Sequence, residues 1–174
     1  MPHATRSLLL MPLLGTLLAG CQGYSFTFNE REVFTPPPLF AGYRIDDPAL
    51  QACVRQAIED GGVTSADKLQ DLNCSNAGIH SLAGIEVFME LRRLGLDGNA
   101  LESLAPLEAL PHLELIQARG NHLRSLGTGL CKGTGRRIAL SGNNGLACAD
   151  LEQLRACGVA IVDAPAPCAA PGSG

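Results

Sequence analysis

"LRRLGLDGNALESLAPLEALPH", residues 91–112, sets leucines at 91, 94, 96, 101, 104, 107 and 110. An amphipathic helix spaces its apolar residues by three and four throughout, whereas a half-buried strand alternates them. Here only Leu94 and Leu96 alternate, Asn99 follows, and the remainder settles on a three-residue beat. Shifting the whole sequence by 22 residues explains this meter. Leu69, Leu91 and Leu113 then superpose, as do Leu72, Leu94, Ile116 and Ile138, and Cys74, Leu96, Ala118 and Leu140. Asn99, Asn121 and Asn143 fall in register, followed by Ile79, Leu101 and Leu123, and then by Leu82, Leu104, Leu126 and Cys148.

A period of roughly 20 to 29 residues with the form LxxLxLxxNxL is the pattern of leucine-rich repeats. Units 69–90, 91–112 and 113–134 are complete. Unit 135–156 is degenerate, with Gly135 and Gly145 in leucine positions, and a fifth survives only as a strand within "CGVAIVD" from Cys157. In each unit the LxL core predicts a short strand whose alternate residues point inward and outward. The Asn turns the chain out of the strand, and its amide can satisfy backbone groups that stacking would otherwise bury unpaired. The later apolar residues line a return segment, which Pro106 begins with its pre-set φ. One coil buries nothing useful alone, so neighbours must stack.

Upstream, "MPHATRSLLLMPLLGTLLAGC" carries Arg6 and then an apolar run from Leu8 to Ala19. A bilayer span needs about 20 apolar residues, and this shorter run has the order of a secretory signal. "LAGC" at 18–21 resembles the lipobox of bacterial lipoproteins at every position. The resemblance implies a signal peptide at 1–20, cleavage before Cys21, and acylation of Cys21 on its thiol and new amino terminus, palmitate included. Several acyl chains make a durable anchor where one binds only marginally. Gln22 stands where enteric lipoproteins kept in the inner membrane carry Asp. The expected location is therefore the outer membrane of a Gram-negative cell envelope, facing the periplasm.

Six cysteines besides Cys21 remain: Cys53, Cys74, Cys131, Cys148, Cys157 and Cys168. In an oxidising compartment an even number reads as three disulfides, with fifteen formal connectivities. At the front, "IDDPALQACVRQAIEDGG" has Asp47 as helix N-cap, Pro48 at the first helical position and Gly61-Gly62 as a stop. Leu50, Cys53, Val54, Ala57 and Ile58 share one face, which can cover the first repeat, where Cys74 holds an inward leucine position. That cap argument favours Cys53–Cys74, with Cys148–Cys168 and Cys131–Cys157 at the other end. Residues 46–68 are thus a helical N-cap, 69–156 the repeats, and 157–174 a C-cap strand with a disordered tail. Residues 21–45 form a lipid-anchored tether. Its Tyr24, Phe26 and Phe28 alternate toward a small hairpin, and Pro36-Pro37-Pro38 makes a stiff spacer.

Taken together, "DPALQACVRQAI", "VTSADKLQDLNCSNAGIHSLAGIEVF" and the repeats resemble the internalin-like leucine-rich-repeat proteins of bacteria over residues 46–156. The resemblance implies an α/β solenoid, right-handed, with a parallel sheet on its concave face, a helical N-cap and, here, a cysteine-closed C-cap. It also implies protein binding by that face. The chain departs from those proteins in repeat number and in its lipid anchor. "GLACADLEQLRACGVAIVDAPAPC" further resembles a cysteine-closed cap of short bacterial lipoproteins.

The formal net charge of −4 leaves no electrostatic footprint for nucleic acid. His80, His112 and His122 are scattered one per repeat, and no nucleotide-binding or nucleophile-elbow motif occurs. "GTGRR" at 133–137 reads as a turn before a degenerate strand. No enzyme, cofactor or metal is expected. Outward strand positions form three columns: Asp71, Arg93, Leu115, Arg137, Val159; Asn73, Gly95, Gln117, Ala139, Ile161; and Ser75, Asp97, Arg119, Ser141, Asp163. Arg93, Leu115, Gln117, Arg119 and Arg137 are the candidate protein-binding residues, because interface energy concentrates in a few central side chains and arginine is enriched among them. The expected function is a membrane-anchored envelope lipoprotein, monomeric, binding an unidentified envelope protein. A structural envelope lipoprotein without a specific partner, or an enzyme inhibitor, is the alternative.

Overall fold

The computed structural model describes residues 26–28, 31–34, 36–132 and 135–168. Cys21, the lipobox and the tail beyond Cys168 lie outside the described residues. The chain divides into two compact units after Pro37. In the first, strand β1 (Phe26–Phe28) pairs antiparallel with β2 (Arg31–Phe34), Phe28 facing Arg31 in the register.

The second unit holds helix α1 (Pro48–Gly61), strands β3 (Asp71–Asn73), β4 (Arg93–Gly95), β5 (Leu115–Gln117) and β6 (Arg137–Ala139), helix α2 (Cys148–Ala156) and strand β7 (Ala160–Asp163). The five strands make one parallel sheet in chain order. From β3 to β6 every pairing steps by one sequence period, Asp71 to Arg93 to Leu115 to Arg137. The returns of the first three repeats are single 3₁₀ turns, Ile85–Val87, Ala105–Ala109 and Thr128–Cys131. Between sheet and returns, the repeat leucines and isoleucines pack as one core; Leu94, Leu96, Ile116 and Ile138 are at most 1% exposed. Each such side chain contributes about 1.5–3 kcal/mol by leaving water.

The buried asparagines fasten coil to coil. Asn99 accepts from Ala77 N and Ile79 N and donates to Cys74 O and Leu96 O, all within 3.1 Å. Asn121 accepts from Leu101 N and donates to Leu96 O and Arg119 O. Asn143 accepts from Leu123 N and donates to Ala118 O and Leu140 O. Each amide therefore satisfies peptide groups of its own coil and of the preceding one. Aspartate, with no donor, could not make this set of bonds.

Both helices end in the same way. Val63 N donates to Ile58 O and Gly62 N to Glu59 O, with Gly62 at φ +58°. Val159 N donates to Leu154 O and Gly158 N to Arg155 O, with Gly158 at φ +90°. These are Schellman caps, each closed by buried apolar partners, Val63 with Ile58 and Val159 with Leu154. Disulfides Cys53–Cys74, Cys131–Cys157 and Cys148–Cys168 tie α1 to the first repeat, the third return to the residue after α2, and the start of α2 to the terminal turn. A loop of this size adds about 3 kcal/mol in the chain-entropy account.

Asp47 joins the front cap to the repeats. Its Oδ1 accepts from Ala49 N and Leu50 N, capping α1, while its Oδ2 accepts from His80 N and Ser81 N. Burial alone would raise this carboxyl's pKa. The four backbone donors outweigh it and hold the pKa below its ordinary value. A depressed folded pKa stabilises above the unfolded value near 4, and that stabilisation is lost as pH falls through the folded value. Asp47→Asn should therefore be less stable than wild type at pH 6, with the difference shrinking toward pH 2. Chemical denaturation across that range would show a constant difference if the carboxylate were unimportant to the cap.

Two boundaries differ from the sequence reading. Residues 38–45, read as tether, belong to the second unit. Phe40 N donates to Val63 O, Ile45 is 3% exposed, and Phe40 and Tyr43 pack on Phe88 with centroids 6.1 and 5.6 Å apart. The fourth return is the helix α2, because "CADLEQLRA" lacks the proline and glycines of the other returns and is rich in helix formers. That helix and its glycine cap delay the last strand by one residue. Ala160, not Val159, faces Arg137 in the register, Ile161 pairs with the inward Ile138, and Val159 is buried. A bulge then makes Val162 an extra residue before Asp163.

Candidate functional site

The outward face of the five-stranded sheet is built by alternation: Leu72, Leu94, Ile116 and Ile138 point into the core, so their strand neighbours point away. The first outward column is Asp71, Arg93, Leu115, Arg137 and Ala160. Arg93 grips Asp71 on the adjacent strand in a two-pronged ion pair, Nε to Oδ1 and Nη2 to Oδ2, the latter at 2.7 Å. Leu115 and Gln117 are half-buried, and Arg137 is exposed. Gly95 and Ala139 are buried. A Cβ on Gly95 would meet the Asn73 carboxamide oxygen at 2.5 Å, so the second column is set by Asn73 and Gln117.

In the third column Arg119 is the hub. Its Nε donates to Asp163 Oδ2 at 2.8 Å, its Nη1 to Asp97 Oδ2 at 3.0 Å, and its backbone N to Asp97 Oδ1 at 2.8 Å. Ser141 Oγ donates to the same Asp163 oxygen at 2.7 Å. The hydroxyl and then the guanidinium hold Asp163 below the ordinary carboxylate range. The network pins β7 to the residues that follow β4, β5 and β6. Of the sequence-nominated arginines, then, Arg93 and Arg119 are fastened to neighbouring strands, and reversing either charge would disturb the sheet. Among the described residues Arg137 pairs with no carboxylate.

Periodicity gave no sign of Arg136. It is 2% exposed, and its guanidinium donates to Leu113 O at 3.0 Å, Leu130 O at 2.6 Å and Leu110 O at 3.0 Å. Gly135 leaves a leucine position empty, and the buried Arg136 follows it directly. Burial lowers its pKa, yet a guanidinium stays charged at neutral pH. Its role is in the fold. The one sequence clue is that it directly follows the glycine that breaks the leucine column.

A cleft of about 370 Å³ lies between Leu39–Tyr43 and α1, with Phe40, Tyr43 and Ile58 in its lining and Arg55 and Glu59 paired at 3.9 Å beside it. It brings no nucleophile and base together. The three described histidines, His80, His112 and His122, are exposed and apart, with His112 3.6 Å from Glu90 of the preceding repeat. Among the described residues no group of three His, Cys, Asp or Glu side chains is placed to hold a metal ion. None of the described helices is long and apolar enough to cross a membrane.

Stacked 22-residue coils, a parallel sheet on one side, short returns on the other and an asparagine ladder between them define a leucine-rich-repeat fold. No protein-family model and no curated protein matches the chain. Among solved structures it is similar to internalin C2 from Listeria monocytogenes, with TM-score 0.55 at 22% identity over 68% of this chain and 55% of that one. It is also similar to a second internalin of that organism, inlF, with TM-score 0.49 at 23% identity over 62% of this chain and 34% of that one. The chain thus spans about half the length of the first of these (55%). The likeness is one of fold.

Proposed function

We propose that the chain is a lipid-anchored envelope protein whose leucine-rich-repeat sheet, the concave face of a short right-handed solenoid, binds another protein. One observation carries the binding part. Five strands present an outward face that no described element of the second unit covers, bearing Leu115, Gln117 and Arg137 near its middle. A half-buried leucine, an amide and an exposed guanidinium supply the mixed apolar and polar chemistry typical of interface centres. The anchoring part rests on the "LAGC" lipobox at 18–21.

Site-specific photocrosslinking tests the face. A photoreactive residue at Gln117 should yield a discrete protein adduct in cell envelopes, and one at exposed Glu102, off the sheet, should not. Equal adducts from both positions would argue for broad envelope association without a specific partner. If the Gln117 adduct is absent and deletion of residues 22–38 removes binding, the tether is the recognition element. For the anchor, Cys21→Ser should block lipoprotein processing and move the protein out of the detergent-extracted membrane fraction. Normal processing and unchanged fractionation of this variant would refute Cys21 as the acylated residue.

A further inference from the structure

We propose that the outward sheet face receives, at Arg137, an acidic side chain from a polypeptide that sets apolar residues beside it. The inference deepens the protein-binding reading and rests on it. Three guanidiniums stand on this face. Asp71 neutralises Arg93, and Asp97 and Asp163 neutralise Arg119. Arg137 is exposed, and no described carboxylate pairs with it. Its neighbours across the sheet are uncharged, Leu115 on β5 and Ala160 on β7. Next to it along β6, Ile138 and Ala139 are fully buried.

The apolar flank comes from the bulge in β7. Ala160 and Val162, two residues apart, are the exposed positions of that strand, and Val162 is 53% exposed, more than Leu39, Val87 or Met89. Leu115 therefore borders the cation on one side and Ala160 on the other, with exposed Val162 two residues further along β7. A planar guanidinium in such surroundings matches a carboxylate, which it can take in two parallel hydrogen bonds. A polyanion such as nucleic acid fits poorly, since Asp71, Asp97 and Asp163 share the face and the chain carries net charge −4. One carboxylate between apolar side chains is the matching chemistry.

The test pans a random phage-displayed peptide library against the full chain and against Arg137→Glu, both with melting curves recorded. Among the described residues Arg137 makes no ion pair, so the variant should melt like wild type. Wild type should enrich sequences that place Asp or Glu next to an apolar residue. Those peptides should bind Arg137→Glu at least about tenfold more weakly, the worth of one charge-assisted hydrogen-bonded pair. The variant should instead enrich Lys or Arg. Enriched sequences without an acidic residue, or binding unchanged by Arg137→Glu but lost with Leu115→Ala, would overturn the acidic preference and leave the face as a binding surface. No enrichment on folded wild type, or binding that survives both substitutions, would overturn the reading of the face itself.

Discussion

Arg136→Met is expected to lower stability by about 4 kcal/mol, because it leaves buried carbonyls without donors while keeping most of the side-chain volume. Leu110 O, Leu113 O and Leu130 O all take their hydrogen bonds from this one guanidinium. Each orphaned carbonyl costs about 1–3 kcal/mol, less where water can enter. Lysine should recover only part of the loss, since one ammonium cannot reproduce the planar fork that reaches two returns and a strand entry. A thermal melt reads the result directly. At about 2–4 °C per kcal/mol for a chain of this size, the midpoint should fall by roughly 10 °C. A fall of only a degree or two would mean that the carbonyls find other partners.

Gly84→Ala should be comparably damaging for a different reason. Gly84 sits at φ +96°, which side-chain-bearing residues rarely adopt, and a Cβ there would run into the Arg44 carbonyl oxygen. That carbonyl is backbone and has no rotamer in which to retreat. The segment 44–45 must lift, taking Ile45 out of the core. Backbone strain of about 1–3 kcal/mol and the exposure of one isoleucine together suggest a loss near 4 kcal/mol. Gly62→Ala makes the comparison, since its φ is also positive but nothing lies within 4 Å of a Cβ there. If both variants lose the same stability, the collision with Arg44 is irrelevant and only the dihedral counts.

The sequence disclosed the repeated parts of this molecule because repetition shows buried structure plainly. A leucine needed in every coil appears every 22 residues, and an asparagine serving two coils must recur in step, as Asn99, Asn121 and Asn143 do. The alternation that hides Leu94 and Ile116 likewise fixes the outward direction of Arg93 and Leu115. Interactions made only once leave no such trace. Arg136 read only as part of "GTGRR", a turn before a degenerate strand, and its place directly after Gly135 in a leucine position is the one trace it left in the sequence. The delay of β7 arose because the coil closed by this helix runs 23 residues, from Arg137 to Ala160, where the coils closed by 3₁₀ turns run 22, a difference that "CADLEQLRA" encodes in propensity and not in period. The candidate face was legible as a set of directions. Which arginines were already held by Asp71, Asp97 and Asp163 depended on side-chain reach between strands, which the columns list but do not measure.

The asparagine ladder has a consequence for how such a chain can change length. Every bond of Asn121 ends on its own coil or on one beside it, and the disulfides lie outside the junction between the second and third repeats. A duplicated unit placed after His112 would meet on either side the same leucines and the same amide that its neighbours meet now. The sheet would widen by one strand spacing, about 4.8 Å, and neither cap would have to be rebuilt. Insertion of any other length would throw the asparagines out of step with the carbonyls they serve. Growth of this protein is thus quantised in whole coils.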